Sequence, residues 1–289
     1  MPELPEVETI KKDLAGVIVG KKIKKIMADT PKMVQPSLTT FNQRIIGRQI
    51  KEIDRRAKML IWRLSDDLDL LFHLKMTGQL VYRPKKGKLV VGGHPFGYEG
   101  RALPNEFTHV IFEFSDGGML YFNDLRKFGW VKISNRQATA KLIADKYGVE
   151  PLTKDFTLDY LRGRLTLKKR LKIKQVLADQ KFIAGLGNIY VDEACFVARV
   201  KPDRKVGSLN NREIKALHLA IQSVLKKSIK ARGTSFNTYV DAGGRPGNFV
   251  KYLNVYKREG QKCKRNDGGV IKRVVINGRG TRFCSKCQK

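Results

Sequence analysis

Met1-Pro2-Glu3-Leu4-Pro5-Glu6-Val7-Glu8-Thr9 opens the chain, and the other motifs are read outward from it. An initiator methionine is usually removed when the next residue is as small as proline, which leaves Pro2 with a secondary amine at the free terminus. An α-amino group titrates near pH ~8, far below lysine, so a useful fraction is neutral and nucleophilic at physiological pH. Attack of such an amine on a sugar C1′ yields an iminium, a Schiff base made without any lysine. Glu3 and Glu6 could supply the proton transfers that ring opening and elimination require. While Met1 is attached, Pro2 has only an amide nitrogen, so this chemistry requires Met1 to leave. The same residues also read as a helix start. Pro5 suits the first helical position, Glu6 and Glu8 complement the macrodipole, and Val7, Ile10 and Leu14 follow at helical spacing. Both readings hold together, because a helix packed by that face fixes the amine in space.

The 289 residues imply about two domains, each large enough to bury a core. Lys and Arg number 58 against 27 Asp and Glu, a net charge of +31 that exceeds what solubility needs. A polyanionic partner explains it, with phosphate neutralisation and counterion release as the mechanism. The basic residues are spread along the chain, which favours a folded basic face over a disordered arm. RNA-binding proteins share this composition, so charge alone does not choose the nucleic acid. No signal peptide and no uninterrupted apolar run of membrane-spanning length is visible, so the expectation is an intracellular protein, cytoplasmic or nucleoid-associated, with no membrane partner. In a reducing compartment the 4 cysteines read as metal ligands or core residues.

After the first helix, residues 17–134 read as strands. Ser65-Asp66-Asp67 and Asp116-Gly117-Gly118 separate apolar runs as hairpin turns, and strands at this spacing indicate a sandwich or barrel. Residues 82–105, rich in Lys, Gly and Pro, read as a loop excursion, and 136–150 as a linker. Helical patterns follow at 158–165, 171–177 and 189–198. The longest, 210–232, has Asn210 and Glu213 as a capping box and Gly233 as its end. Residues 233–248 read as a loop, and the tail from Tyr252 returns to β-type residues with three cysteines. The fold class is therefore α+β and multidomain: an N-terminal helix plus β-sandwich domain (1–135), a helical domain (150–250) and a C-terminal β-hairpin (251–289).

The opening nonapeptide resembles the amino terminus of formamidopyrimidine-DNA glycosylases, bacterial-type base-excision enzymes for oxidised purines. The order of parts is also similar to that family over nearly the whole chain, and the family holds DNA in the cleft between its domains. The resemblance implies roles for further residues. Lys58, in Arg55-Arg56-Ala57-Lys58, matches a lysine that approaches the lesion nucleotide, where residue type alone would make it a surface lysine. Met76, in His73-Leu74-Lys75-Met76-Thr77-Gly78, matches a wedge inserted into the DNA stack, against a bland reading as a core plug, and His73 stands beside it within reach of phosphate. Arg126 and Phe128, in Asp124-Leu125-Arg126-Lys127-Phe128-Gly129, match the second half of that wedge. An aromatic that stacks and an arginine that hydrogen-bonds the orphaned base suit the task physically.

Lys181-Phe182-Ile183-Ala184-Gly185-Leu186-Gly187-Asn188-Ile189-Tyr190 matches the family's helix–two-turn–helix element, in which exposed N–H groups and Asn188 receive phosphate. The basic run Lys168–Lys174 reads by default as a solvated helix face. Asn277-Gly278 is a hairpin turn that puts Arg279 near the tip, and the family's matching arginine clamps phosphates beside the lesion. Tyr256 is assigned to DNA binding on the same resemblance. The loop around Gly243-Gly244-Arg245-Pro246-Gly247 is expected to close over the flipped base.

The tail departs from the family's four-cysteine zinc ribbon, since only Cys263, Cys284 and Cys287 are present. Counting forward from Cys263, the missing position is Asn266; counting back from Cys284, it is Asp267. Aspartate is a legitimate zinc ligand and asparagine a poor one, so a structural zinc on Cys263, Asp267, Cys284 and Cys287 is preferred, with a weakened or metal-free hairpin close behind. Cys195 reads as a buried helix residue.

The resemblance thus implies a monomeric bifunctional DNA glycosylase and apurinic/apyrimidinic-site lyase of base excision repair. Its substrate would be double-stranded DNA with oxidised purines, such as 8-oxoguanine and formamidopyrimidines, or abasic sites. Pro2, Glu3, Lys58 and Arg279 would be catalytic and Glu6 supporting. No redox cofactor is called for. The alternatives are an endonuclease VIII-like enzyme for oxidised pyrimidines, disfavoured by Leu4 and the Met76/Arg126/Phe128 set, and a non-catalytic binder of damaged DNA. A basic RNA-binding protein fits the charge but leaves the amino terminus unexplained.

Overall fold

A computed structural model describes residues 2–94, 102–234 and 248–289. In chain order it contains α1 (Leu4–Ile18), β1 (Ile23–Ala28), β2 (Val34–Gln35), α2 (Leu38–Ile45), β3 (Ile50–Arg56), β4 (Met59–Leu64), β5 (Leu68–His73), β6 (Gly78–Arg83), β7 (Val90–Gly93), β8 (Thr108–Phe114), β9 (Met119–Asp124) and β10 (Trp130–Asn135). Helices α3 (Arg136–Lys146), α4 (Leu158–Thr166), α5 (Ile173–Leu177), α6 (Asn188–Val197) and α7 (Asn211–Lys230) follow, then the hairpin β11 (Ile271–Ile276) and β12 (Arg279–Cys284). The contacts divide into two units. One comprises the chain to Ile143 with Ala231–Val250, the other Ala144–Lys230 with Lys251–Lys289.

The first unit is a β-sandwich. Its five-stranded sheets run β1-β8-β9-β6-β7 and β2-β10-β5-β4-β3, antiparallel except for the parallel β2–β10 pair. Trp62 and Phe72 of one sheet meet Phe112 and Phe122 of the other, with ring centroids 5.7–6.2 Å apart across the sheets. Val7, Ile10 and Leu14 of α1 join the same core, as their helical spacing requires. Burying this face at ~1.5–3 kcal/mol per large aliphatic side chain anchors the amino-terminal helix to the sandwich.

Three expectations are corrected here. Residues 17–134 are not all strand, because α2 intervenes, capped by the Ser37 hydroxyl and buried through Phe41 and Ile45 one turn apart. The excursion 82–105 contains β7, which pairs with β6 along the sheet edge. The linker 136–150 begins with the eleven-residue α3, which buries only Thr139 and therefore has no apolar stripe to mark it.

The second unit packs α6 against α7 and against β12. The capping box opening α7 forms as read: Glu213 N donates to Asn210 Oδ1 and Asn210 N to Glu213 Oε2, both at 2.9 Å. Asn277 and Gly278 form the two-residue turn between paired Ile276 and Arg279. The basic run 168–174 is not one solvated face. Turns separate α4 from α5, and Lys174 points inward with 1% exposure. Among the described residues no helix is long and apolar enough to cross a membrane.

Candidate nucleic-acid-processing site

In the sandwich unit the amino-terminal residues are held, not frayed. Pro2 is buried, Glu3 is 2% exposed and Glu6 8%. Glu3 N donates to Glu6 Oε2 at 2.9 Å, and Thr234 N donates to Glu6 Oε1 at 2.8 Å. One carboxylate therefore ties the start of the chain to the backbone just before residue 235. Gly233 sits between with φ +82°, and a Cβ there would lie 3.0 Å from Glu6 Oε1, so the approach needs glycine on both counts. Arg232 adds two 2.6 Å contacts to Asp13 of α1. The loop expected to close over a base, with its Gly243–Gly247 core, lies outside the described residues.

Lys58 is 7% exposed, so it is not the surface lysine its residue type predicts. It occupies the two-residue turn between paired Arg56 and Met59, with Ala57 at φ +54° and fully buried. Arg55 holds that turn to α1, donating from Nη1 to Ala57 O at 2.9 Å and from Nε to Glu8 Oε2 at 2.8 Å. A non-glycine residue in the left-handed region persists only where its surroundings over-determine it, and this clamp is that surrounding.

The two wedge loops meet through Asp124, a residue to which the sequence alone gives no role. Its carboxylate is fully buried and accepts from Thr77 Oγ1, from Arg126 N at 3.1 Å and from Gly129 N at 2.6 Å. Thr77 belongs to the loop after β5 and Arg126 to the loop before β10, so one anion sets both. Met76 (40% exposed) and Phe128 (50% exposed) project outward, and the Arg126 guanidinium lies 4.6 Å over the Phe128 ring. His73 accepts from Lys75 N at 3.0 Å and lies 5.7 Å from the Trp130 ring. Large apolar side chains exposed in this way are available to contact a partner.

In the second unit the glycine-rich turn before α6 is a fixed structure. Gln180 accepts from Gly185 N at 2.9 Å and donates to Leu186 O at 2.6 Å, while Phe182, Ile183, Ala184 and Leu186 are buried. Gly187 is the N-cap of α6 and contributes no side-chain cap. Asn188 Nδ2 donates to Gly280 O at 3.1 Å, linking this turn to the hairpin that carries Arg279, and Asn188 Oδ1 is buried without a partner among the described residues.

The same hairpin is held by a buried ion pair that the sequence did not reveal. Lys174 Nζ contacts Asp192 Oδ1 at 2.6 Å and Gly280 O at 3.3 Å, and Asp192 Oδ2 accepts from Arg282 N at 3.0 Å. Burial pushes the Asp192 carboxyl up to about 7, with Lys174 opposing the rise. Glu193, also fully buried, accepts from the N–H groups of Asn254, Val255 and Tyr256 at 2.9–3.0 Å. This fixes the backbone at Tyr256, whose ring carries the Arg282 guanidinium 4.5 Å above it. The available signal was two adjacent acids, Asp192 and Glu193, inside the otherwise apolar α6, which burial had to pair.

Donor atoms of Cys263, Asp267, Cys284 and Cys287 all lie within 4.8 Å of one another. Cys263 Sγ and Cys287 Sγ are 3.9 Å apart, close to the ~3.8 Å edge of a tetrahedron with zinc–sulfur arms of ~2.3 Å. The Asp267 carboxylate reaches Cys284 Sγ at 3.6 Å, and Gly269 N holds that carboxyl below its usual range. Burial pushes the Cys287 thiol up to about 12. Arg265 donates from Nη1 to Cys287 Sγ at 3.1 Å and stacks 4.1 Å over Phe196. Three thiols and a carboxylate at tetrahedral spacing fit a structural zinc. Cys195 is wholly buried in α6, away from this set, and burial raises its thiol as well.

Comparison with known proteins identifies the family. A model of the formamidopyrimidine-DNA glycosylase N-terminal domain matches residues 1–131, and one of the formamidopyrimidine-DNA glycosylase H2TH domain matches 147–240. The chain is 42% identical over 293 residues to a formamidopyrimidine-DNA glycosylase of Heliobacterium modesticaldum, covering 100% of both. It is 37% identical to one of Streptococcus pneumoniae, over 100% of this chain and 99% of that protein. Among solved structures, the complex of Lactococcus lactis Fpg with an abasic site containing DNA superposes with TM-score 0.88 at 35% identity, covering 100% of each chain. A Lactococcus lactis variant in complex with a Fapy-dG containing DNA superposes with TM-score 0.89 at the same identity and coverage. With these matches running from end to end across sandwich, glycine-rich turn and cysteine hairpin, the chain belongs to the formamidopyrimidine-DNA glycosylase family.

Proposed function

We propose that this protein is a monomeric bifunctional DNA glycosylase and abasic-site lyase of base excision repair, excising oxidised purines through a Schiff base on the Pro2 amine. The observation that carries the reading is the amino terminus, where a buried Pro2-Glu3 pair is fixed through Glu6 on a helix docked to the sandwich core. Its working place is with chromosomal DNA inside the cell. Residues 1–135 act as the catalytic part, 150–250 as the part that grips DNA, and 251–289 as a bracing hairpin.

Once Met1 is removed, the Pro2 nitrogen lone pair attacks C1′ and the glycosidic bond breaks, its electrons leaving with the base, which takes up a proton. Opening of the sugar ring gives the iminium and a protonated ring oxygen, and Glu3 is the group placed to move those protons. Loss of a C2′ proton expels the 3′ phosphate, and a second elimination expels the 5′ phosphate, leaving a one-nucleotide gap. Water then releases Pro2. Lys58, desolvated in its turn, supports these transfers and neutralises phosphate. Met76, Arg126 and Phe128 fill the space the flipped nucleotide leaves. Arg279, Asn188, His73 and Tyr256 grip DNA, and zinc on Cys263, Asp267, Cys284 and Cys287 would brace the hairpin that carries Arg279.

Borohydride trapping tests the reading. The processed chain should form a covalent adduct with a duplex carrying 8-oxoguanine opposite cytosine, and Pro2→Gly should trap far less. A wild-type chain that forms no adduct would reject the Schiff base, and preference for thymine glycol would reassign the lesion class.

A further inference from the structure

Beside the wedge, the sandwich unit carries a recess of about 440 Å³ that none of the roles above uses. Lys32, Lys75 and Lys127 line it with Gln35, over a wall formed by Phe128 and Trp130. Lysines 75 and 127 belong one to each wedge loop, and both hold left-handed backbone, φ +51° and +55°. That conformation is unfavourable for lysine and persists only where the surroundings hold it. Some lysines of this unit are matched with acids, as in Lys24–Glu113 and Lys11–Asp54. Among the described residues none of these three takes part in a salt bridge. Asp29, whose field reaches Lys127, is already bound by Thr30 Oγ1 at 2.8 Å and His109 Nδ1 at 3.0 Å. Three uncompensated cations around one hollow repel each other unless an anion enters it.

The sheet order says which anion. Met59 next to Lys58, then His73, then Trp130 sit opposite one another on β4, β5 and β10, and β2 follows beyond β10. Adjacent strands are ~4.8 Å apart, so the row from β4 to β2 spans ~14 Å. Both wedge loops leave the sheet between its ends, the first after β5 and the second before β10. The nucleotide under chemistry lies on the Lys58 side, so a duplex split by the wedge presents its other strand on the Lys32 side. We infer that the recess lined by Lys32, Lys75 and Lys127 binds phosphodiesters of the complementary strand opposite the lesion. This rests on the wedge reading above. The contact carries no base information, and it holds the undamaged strand while its partner nucleotide is drawn away.

Anisotropy titrations of the full processed chain, on a duplex bearing a tetrahydrofuran abasic analogue, test this across a salt series. Lys75→Gly and Lys127→Gly relieve the left-handed backbone, so their thermal midpoints should hold or rise while affinity falls. Each should lower the slope of log K against log salt by ~0.9, and adding Lys32→Ala should bring the total to ~2.7. Neutral methylphosphonates in the complementary strand should weaken the wild type and leave the triple variant unmoved. In the lesion strand they should weaken both alike. An unchanged slope, or a triple variant insensitive to lesion-strand methylphosphonates instead, overturns the inference. A wild type that neither traps nor binds the lesion duplex sinks the parent reading first.

Discussion

Replacing Asp124 by asparagine changes one buried oxygen for an amide nitrogen and should uncouple the wedge. Oδ1 of the new side chain can keep Thr77 Oγ1 and Arg126 N, but its NH₂ must then face Gly129 N, which now donates to Oδ2 at 2.6 Å. Two donors oppose each other where Asp124 is fully buried and no water reaches it. Gly129 cannot back away, because a Cβ at this position would already lie 2.6 Å from Phe122 Cζ, a measure of how tightly its backbone is packed. An orphaned buried N–H costs roughly 1–3 kcal/mol, and the remaining bonds lose the assistance of the charge, so Asp124→Asn should destabilise the sandwich unit by about 3 kcal/mol. For a unit of this size that is a fall of about 6–12 °C in Tm. With the loops freed, Met76 and Phe128 no longer act as one wedge. Excision of 8-oxoguanine from a duplex should fall by more than about tenfold, while cleavage of a preformed abasic site, which needs no base to be extruded, should fall less. Thermal unfolding beside single-turnover cleavage of the two duplexes measures both. A Tm within about 1 °C of wild type would refute the assignment of Asp124 as the anion that organises both loops.

Asp267→Ala should weaken zinc binding by more than about tenfold in a chromophoric-chelator competition, whereas Asp267→Cys should strengthen it. Equal zinc content and affinity in the alanine variant would remove Asp267 from the site. The Glu213 carboxyl is held below its usual range by Arg204, whose Nη1 lies 2.5 Å away. A carboxyl depressed in the folded state stabilises above the unfolded value of ~4.3 and loses that contribution as pH falls through the folded value. Glu213→Gln should therefore lower the unfolding midpoint at pH 7, and the gap to wild type should close in acid. A gap independent of pH would show that the loss is one of packing.

Much of the fold was legible because local physics marks it. The apolar stripe of α1, the Asn210/Glu213 capping box and the Asn277-Gly278 turn each need only neighbouring residues, and all three form. What escaped had no local mark. Helix α3 buries a single threonine, β7 exists by pairing along an edge, and α2 is a short helix of about two turns stabilised by Phe41 and Ile45 in the shared core. By itself the sequence determined the order of parts, the basic charge and the pairing of a removable methionine with Pro2, since these depend on residue type and spacing. Only the tertiary structure decided which charges are buried. Lys58 and Lys174 are of a residue type expected at the surface, and Asp124 and Glu193 carry no local mark of their partners, yet all four are withdrawn from water, and Asp124, Lys174 and Glu193 are bound at distances that pairing from remote strands and helices creates. It likewise brought Asp267, seventeen residues before Cys284, against that thiol while Asn266 took a left-handed turn. Spacing in the chain counts residues, but ligation and ion pairing depend on where the backbone returns.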